Sequence, residues 1–185
     1  MRREARILFW GSNLWYFAEE MLGPLFAIFA QEIGGNVLDI TWAWATFLFF
    51  MGTTIIIVGR MSDRLGRRGR ARVMIFGYGL NAVFTFGYLL VSDPMHLFFV
   101  QAGLGIAAAL AIPTWLALYD QYSDDVHNGY EWGLTSGMDR IFMAAGLMIG
   151  GYVVTTFSFD ALFLTMGCVQ LVATLYQARI LRPTT

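Results

Sequence analysis

Six times along this chain a run of about 20 mostly apolar residues is closed by a polar turn. That length lets a helix cross a hydrocarbon core of roughly 30 Å. The pattern predicts spans at Ile7–Ala30, Ile40–Gly59, Val73–Val91, Leu97–Tyr119, Tyr130–Phe157 and Phe159–Ile180. The intervening turns are Gly34-Gly35-Asn36, a basic stretch after Gly59, Ser92-Asp93-Pro94, and Ser123-Asp124-Asp125 through Asn128-Gly129. The last break, at Phe157-Ser158-Phe159, is the shortest. A soluble domain of this length needs far more charged surface than the 14% present beside 57% hydrophobic residues. The expected fold is therefore an all-α integral membrane protein, with six transmembrane helices in a single domain over residues 1–185.

The charges give an orientation. All 12 basic residues are arginines. Arg2, Arg3 and Arg6 precede the first span. Arg60, Arg64, Arg67, Arg68, Arg70 and Arg72 surround the turn between the second and third. Arg179 and Arg182 follow the sixth. With six spans these fall on one side, while the opposite loops carry Glu32, Asp39, Asp93 and Asp160 but no Arg. By the positive-inside rule both termini are cytoplasmic in a multi-pass protein of the cell membrane. The loop after the fourth span is acidic (Asp120, Asp124, Asp125, Glu131), and acidic residues weigh little in that rule. The first span is too long for the apolar part of a cleavable leader, so it is expected to remain as a helix. The first and fourth spans each carry a late proline, Pro24 and Pro113. That fits two inverted three-helix repeats with interrupted lead helices, an arrangement found in transporters.

The basic turn reads Gly59-Arg60-Met61-Ser62-Asp63-Arg64-Leu65-Gly66-Arg67-Arg68. Gly59 offers close helix approach and Gly66 a tight reversal, while Asp63 at the membrane edge calls for an Arg or a helix N-terminus. The spacing Gly-x-x-x-Asp-Arg-x-Gly-Arg-Arg resembles the loop between helices 2 and 3 of the major facilitator superfamily. The resemblance covers the six spans as the N-terminal half of the usual twelve. It implies that Asp63 docks on the cytoplasmic end of a helix in the other half, and that Arg67 pairs with Asp120. With Gly59, Arg64, Gly66 and Arg68 these would form a conformational switch that breaks when the halves rock. Gln101 stands where the family often has an Arg. Gly146-Leu147-Met148-Ile149-Gly150-Gly151 is similar to an antiporter element, with Leu147 in place of its Pro; plain small-residue packing through Gly146 and Gly150 is the favoured reading.

Charges inside the spans mark a site or a structural pair. Glu19 lies about 18 Å beyond Ile7, and Arg140 roughly 15 Å beyond Tyr130, by helical rise. Ser12, Asn13, Tyr16, Glu19, Glu20 and Gly23 share one stripe of the first span. Thr135, Ser136, Asp139 and Arg140 share one of the fifth, and Asn81 and Thr85 make a polar spot on the third. One reading has Glu19 or Glu20 neutralising Arg140. The other has Asn13, Glu19, Glu20, Gln101, Asp139 and Arg140 lining a central cavity for a substrate or proton. The tryptophans, Trp10, Trp15, Trp42, Trp44, Trp115 and Trp132, are expected mostly at membrane interfaces, with Trp115 a possible substrate wall.

Enzymatic chemistry has little support. His96 and His127 lie in loops or at helix ends, Cys168 has no His near it, and no zinc motif occurs. No cofactor, no metal and no nucleic-acid partner is expected. The reading is a half-size transporter moving a small, unidentified solute by alternating access. The polar end Pro183-Thr184-Thr185 reads as a natural terminus, so the second half would come from a homodimer or a partner chain, unless the gene product is truncated. The alternative is a non-transporting membrane scaffold or accessory subunit.

Overall fold

A computed structural model describes residues 2–123 and 128–182, with Asn128 described in its backbone only. Asp124, Asp125 and His127 of the acidic loop, and the polar tail, lie outside the described residues. The described residues are helical: α1 (Arg3–Glu20), α2 (Leu25–Glu32), α3 (Val37–Arg64), α4 (Arg67–Gly87), α5 (Pro94–Tyr122), α6 (Asn128–Thr156) and α7 (Phe159–Gln177). Short 3₁₀ turns follow α4 at Tyr88–Leu90 and α7 at Ala178–Leu181. Five helices, α3 to α7, are long and apolar enough to cross a membrane. The first predicted span is different. It is divided between α1 and α2 by a turn at residues 21–24.

Local chemistry explains where these helices start and stop. Asn36 caps α3 by accepting from the Leu38 and Asp39 amides at 2.7 and 3.2 Å, and Asp39 returns the contact by accepting from the Asn36 amide at 2.8 Å. Asp93 accepts from the Met95 and His96 amides at the start of α5, with Pro94 in the first turn. Ser158 caps α7 through the Ala161 amide at 3.2 Å, so the shortest predicted break is a true helix boundary. The division of the first span needs two adjacent breakers. Gly23 takes φ +24, a conformation few L residues adopt. Pro24 then removes the amide that the Glu20 carbonyl would have accepted. Pro113 lacks such a neighbour and sits inside an unbroken α5, where the Thr114 hydroxyl donates back to the Leu110 carbonyl at 2.6 Å.

The packing interlocks the two predicted repeats. α5 lies against α3 and α4, α1 lies against α6 and α7, and α4 meets α7 across the middle. The lead helix of each repeat is thus embraced by the second and third helices of the other. Glycines set the closest approaches. A Cβ on Gly146 or Gly150 of α6 would fall on the carbonyl oxygens of Phe17 and Met21 in the first predicted span. A Cβ on Gly77 of α4 would lie 2.7 Å from the Ala111 amide nitrogen of α5. These contacts assign Gly146 and Gly150 to small-residue packing.

Two apolar clusters close the two ends of the bundle. One gathers Met21, Phe26, Phe29, Tyr88, Leu97 and Phe163, with Tyr88 and Phe163 stacked at 4.8 Å. The other gathers Leu8, Trp15, Met74, Tyr78, Trp115 and Tyr119. Trp15 and Trp115 are therefore core residues rather than interface anchors. Trp115 stacks on Tyr119 at 4.9 Å, and its ring nitrogen donates to the Leu8 carbonyl at 3.2 Å. Trp10, Trp42 and Trp44 are exposed.

Candidate functional site

Between the two clusters the bundle is polar. Trp15 donates to the Asn81 side-chain oxygen at 3.2 Å, and Gln170 of α7 donates to the Glu19 carboxylate at 3.0 Å. Asn13, Asn81 and Gln170 are all fully buried. The Asn13 side chain donates to the Phe9 carbonyl at 2.7 Å. Among the described residues the Asn13 and Gln170 side-chain oxygens have no partner, and the Asn81 amide lies against the Glu19 carboxylate. Buried polar groups of this kind are expensive in an apolar medium.

The polar residues of the spans divide between two hollows strung along α1. The first is a cavity of about 190 Å³ walled by α1, α4, α5 and α6. Ser12, Thr135, Ser136, Asp139 and Arg140 supply its polar groups, and Tyr16, Tyr78, Trp115 and Trp132 its aromatic walls. Ser12 donates to Asp139 at 3.5 Å, a long contact. Arg140 is exposed, and its described contact is with the Met143 sulfur at 3.4 Å. The second hollow, about 290 Å³, takes Glu19, Glu20 and Gln101 together with Gly23, Trp44 and Phe47. It opens at the helix break, where irregular backbone is tolerated because it lines a cavity. Gln101 is 2% exposed, lines this hollow and hydrogen-bonds to no described group.

The structure thus brings Asp139 and Arg140 together and places Glu19 and Glu20 of α1 with Gln101 of α5 in the other hollow; Asn13 lines neither. Among the described residues Arg140 forms no ion pair with Glu19 or Glu20. Gln170 is the residue that the sequence reading passed over. A lone amide within Cys168-Val169-Gln170-Leu171 was the available signal.

The basic turn joins α3 to α4. At 28 residues α3 is roughly 42 Å long, so its last turns leave the hydrocarbon. Arg70 donates to the Ser62 carbonyl at 3.0 Å and ties the two helix ends together. Asp63, Arg64 and Arg68 are exposed, and Asp63 has no partner among the described residues. Arg67 does not pair with Asp120 in the described structure; its guanidinium lies over the Tyr122 ring, 5.7 Å from the centroid. Within the chain Gly59 and Gly66 meet neither expected need. Both have open space where a Cβ would go, and Gly66 caps α4 with extended backbone.

Comparison with known proteins supplies the family. The profile of the Major Facilitator Superfamily matches residues 8–185. The chain is 22% identical over 148 residues to "Uncharacterized MFS-type transporter YitZ" of Bacillus subtilis (strain 168), covering 80% of this chain and 88% of that one. It is 24% identical over 156 residues to "Multidrug resistance protein MdtL" of Shewanella oneidensis, 84% of this chain and 38% of the relative. It is 27% identical over 122 residues to "Puromycin resistance protein pur8" of Streptomyces alboniger, 65% of this chain and 24% of the relative. The chain therefore spans most of the first relative and well under half of the other two. With its apolar helices, this makes it a multi-pass membrane protein of a transporter family: the chain belongs to the Major Facilitator Superfamily.

Proposed function

We propose that the chain is a six-span half of a transporter that carries a small amphipathic solute by alternating access. The observation that carries this reading is the cavity on α1, α4, α5 and α6. It offers a carboxylate, a guanidinium and hydroxyls beside four aromatic rings, a combination suited to a solute with a polar or charged group on an apolar body. The interlocked lead helices support two inverted repeats, with α1 and α2 together as the first of six spans, and the arginine bias puts both termini on the cytoplasmic side. Glu19, held by Gln170 beside the helix break, is the candidate proton carrier. The names of the relatives direct the first screen toward puromycin and other amphipathic drugs.

A single bundle walls the cavity on one side only. The second wall is a partner bundle, most simply a second copy of the chain. Parallel halves about an axis along the membrane normal suit a two-fold dimer. The large exposed faces of α3 and α6 are free to receive it. Asp63, Arg64, Gly66, Arg67 and Arg68 then act at the moving contact, Asp63 meeting the start of α6 in the partner bundle near Tyr130.

Thermal shift of the purified full chain tests the site. At least one amphipathic drug should raise the melting temperature. Asp139→Asn and Arg140→Gln should abolish that rise, and Val83→Ala on the exposed side of α4 should keep it. If Asp139→Asn, Arg140→Gln, Glu19→Gln and Glu20→Gln all leave ligand shifts and drug efflux unchanged, the scaffold reading replaces this one.

A further inference from the structure

The arginines at the two ends of the chain do more than set topology. Arg3 and Arg6 of α1 and Arg179 after α7 converge on one hollow of about 280 Å³, completed by Ile7, Trp10 and Tyr176. Arg179 lies over the Tyr176 ring, 5.1 Å from the centroid. None of the three guanidiniums is hydrogen-bonded or ion-paired to a described residue. Glu4, the acidic residue in the first turn of α1, does not line the hollow. The first amides of α1 add their positive end, with no side-chain cap to satisfy them. Among the described residues the hollow is therefore lined by three cations and no acidic side chain.

A second hollow continues from it. About 270 Å³ in volume, it shares Trp10 and Tyr176 with the first and adds Leu14, Phe142 and Val172. Its lining is apolar and runs along the outer surface of α1, α6 and α7, away from the helix ends. A charged pocket at a membrane edge that opens into an apolar groove along the helices has the outline of one kind of molecule. We infer that this is a binding site for an anionic phospholipid, with its phosphate among Arg3, Arg6 and Arg179 and one acyl chain along the Trp10–Val172 groove. Hydrocarbon gains little by moving from bilayer to groove, because both are apolar. The arginines therefore supply the preference for an anionic lipid, and the groove fixes where the lipid lies. The inference needs only that these helix ends sit at a bilayer edge. It does not depend on whether the chain transports anything.

Native mass spectrometry of the full chain in detergent tests it, with phosphatidylglycerol and phosphatidylcholine of identical acyl chains as probes. The wild-type chain should retain one phosphatidylglycerol at concentrations where phosphatidylcholine is lost. Removing a surface arginine should weaken anionic lipid about fivefold, so Arg6→Gln with Arg179→Gln should weaken it about 25-fold and erase the preference. Arg2→Gln with Arg72→Gln removes the same charge from the same end of the bundle but outside the hollow, and should change affinity less than about twofold by the same reasoning. Val172→Trp, at a position 56% exposed, fills the groove without touching charge and should also weaken binding. Equal losses in the two arginine pairs would overturn the site in favour of general surface attraction. Equal retention of the two lipids would overturn it as well. Glycerol phosphate binding as tightly as the lipid would assign the pocket to a free phosphate and remove the groove from the proposal.

Discussion

Adding one carbon at Gly150 is the sharpest test of how the bundle is held. The new Cβ would overlap the Met21 carbonyl oxygen and lie 2.7 and 2.8 Å from the Met21 carbonyl carbon and Cα. Comfortable carbon–carbon contact is about 3.5–4.0 Å. Every atom in the way is backbone, so no side chain can swing aside; the first span and α6 must move apart by about 1 Å to restore that contact. One turn away, Gly146 rests on Phe17 in the same seam, so the separation loosens both contacts. Overpacking of this kind costs about 3 kcal/mol at the upper end of its usual range. Helix propensity returns about 1 kcal/mol for replacing Gly by Ala, leaving a net loss of about 2 kcal/mol. The adjacent Gly151 has nothing within 4 Å of its Cβ position. There the same substitution keeps the propensity gain of about 1 kcal/mol. The two variants should therefore differ by about 3 kcal/mol, or about 6–12 °C in melting temperature for a chain of this size. The assay is thermal unfolding in detergent followed by tryptophan fluorescence. Gly150→Ala melting at or above wild type would refute the close-packed seam.

Two further perturbations test a buried hydrogen bond and the proposed dimer. Trp15→Phe removes the donor to the buried Asn81 oxygen and should lower stability by about 1–3 kcal/mol, whereas Trp15→Phe with Asn81→Leu removes both partners and should recover part of it in the same melt. In a Cys168→Ser background, Asp63→Cys and Tyr130→Cys should form an intermolecular crosslink in reconstituted membranes; monomer alone at every protein density would refute the homodimer.

The helices were legible in the sequence because bilayer thickness imposes a length that hydropathy reports. The spans predicted at 40–59 and 97–119 correspond to α3 and α5, each extended at both ends. Those extensions pass into polar surroundings, where Asn36 and Asp93 cap the helix and hydropathy is no guide. The break in the first span was visible only as Pro24. Its companion Pro113 looked equivalent, and Gly23 made the difference by supplying the positive φ. The site was legible residue by residue but not as an arrangement. Glu19, Asp139 and Arg140 stood out as charges in apolar runs, yet their partners depend on how helices rotate against one another. Backbone contacts at Gly77, Gly146 and Gly150 fix that rotation, and hydropathy contains no record of them. The predicted single cavity is accordingly two hollows, and Glu19, which one of the two readings set against Arg140, is held by Gln170 instead. The proposed partner of Asp63 lies on a second bundle, and the hydropathy of one chain holds no record of such a contact.

The division at Gly23-Pro24 has a consequence in time as well as in space. α2 is 8 residues long, well short of the roughly 12–15 at which an isolated helix begins to hold itself together. It persists because Phe26, Phe29 and Ala30 are buried, and its backbone link to α1 runs through the turn, where the Phe26 amide donates to the Leu22 and Gly23 carbonyls at 3.2 Å. The chain therefore contains one short helix whose stability comes from its buried side chains rather than from its own length. In amide exchange its protons should be replaced well before those of α1, although the two follow each other along a single stretch of sequence.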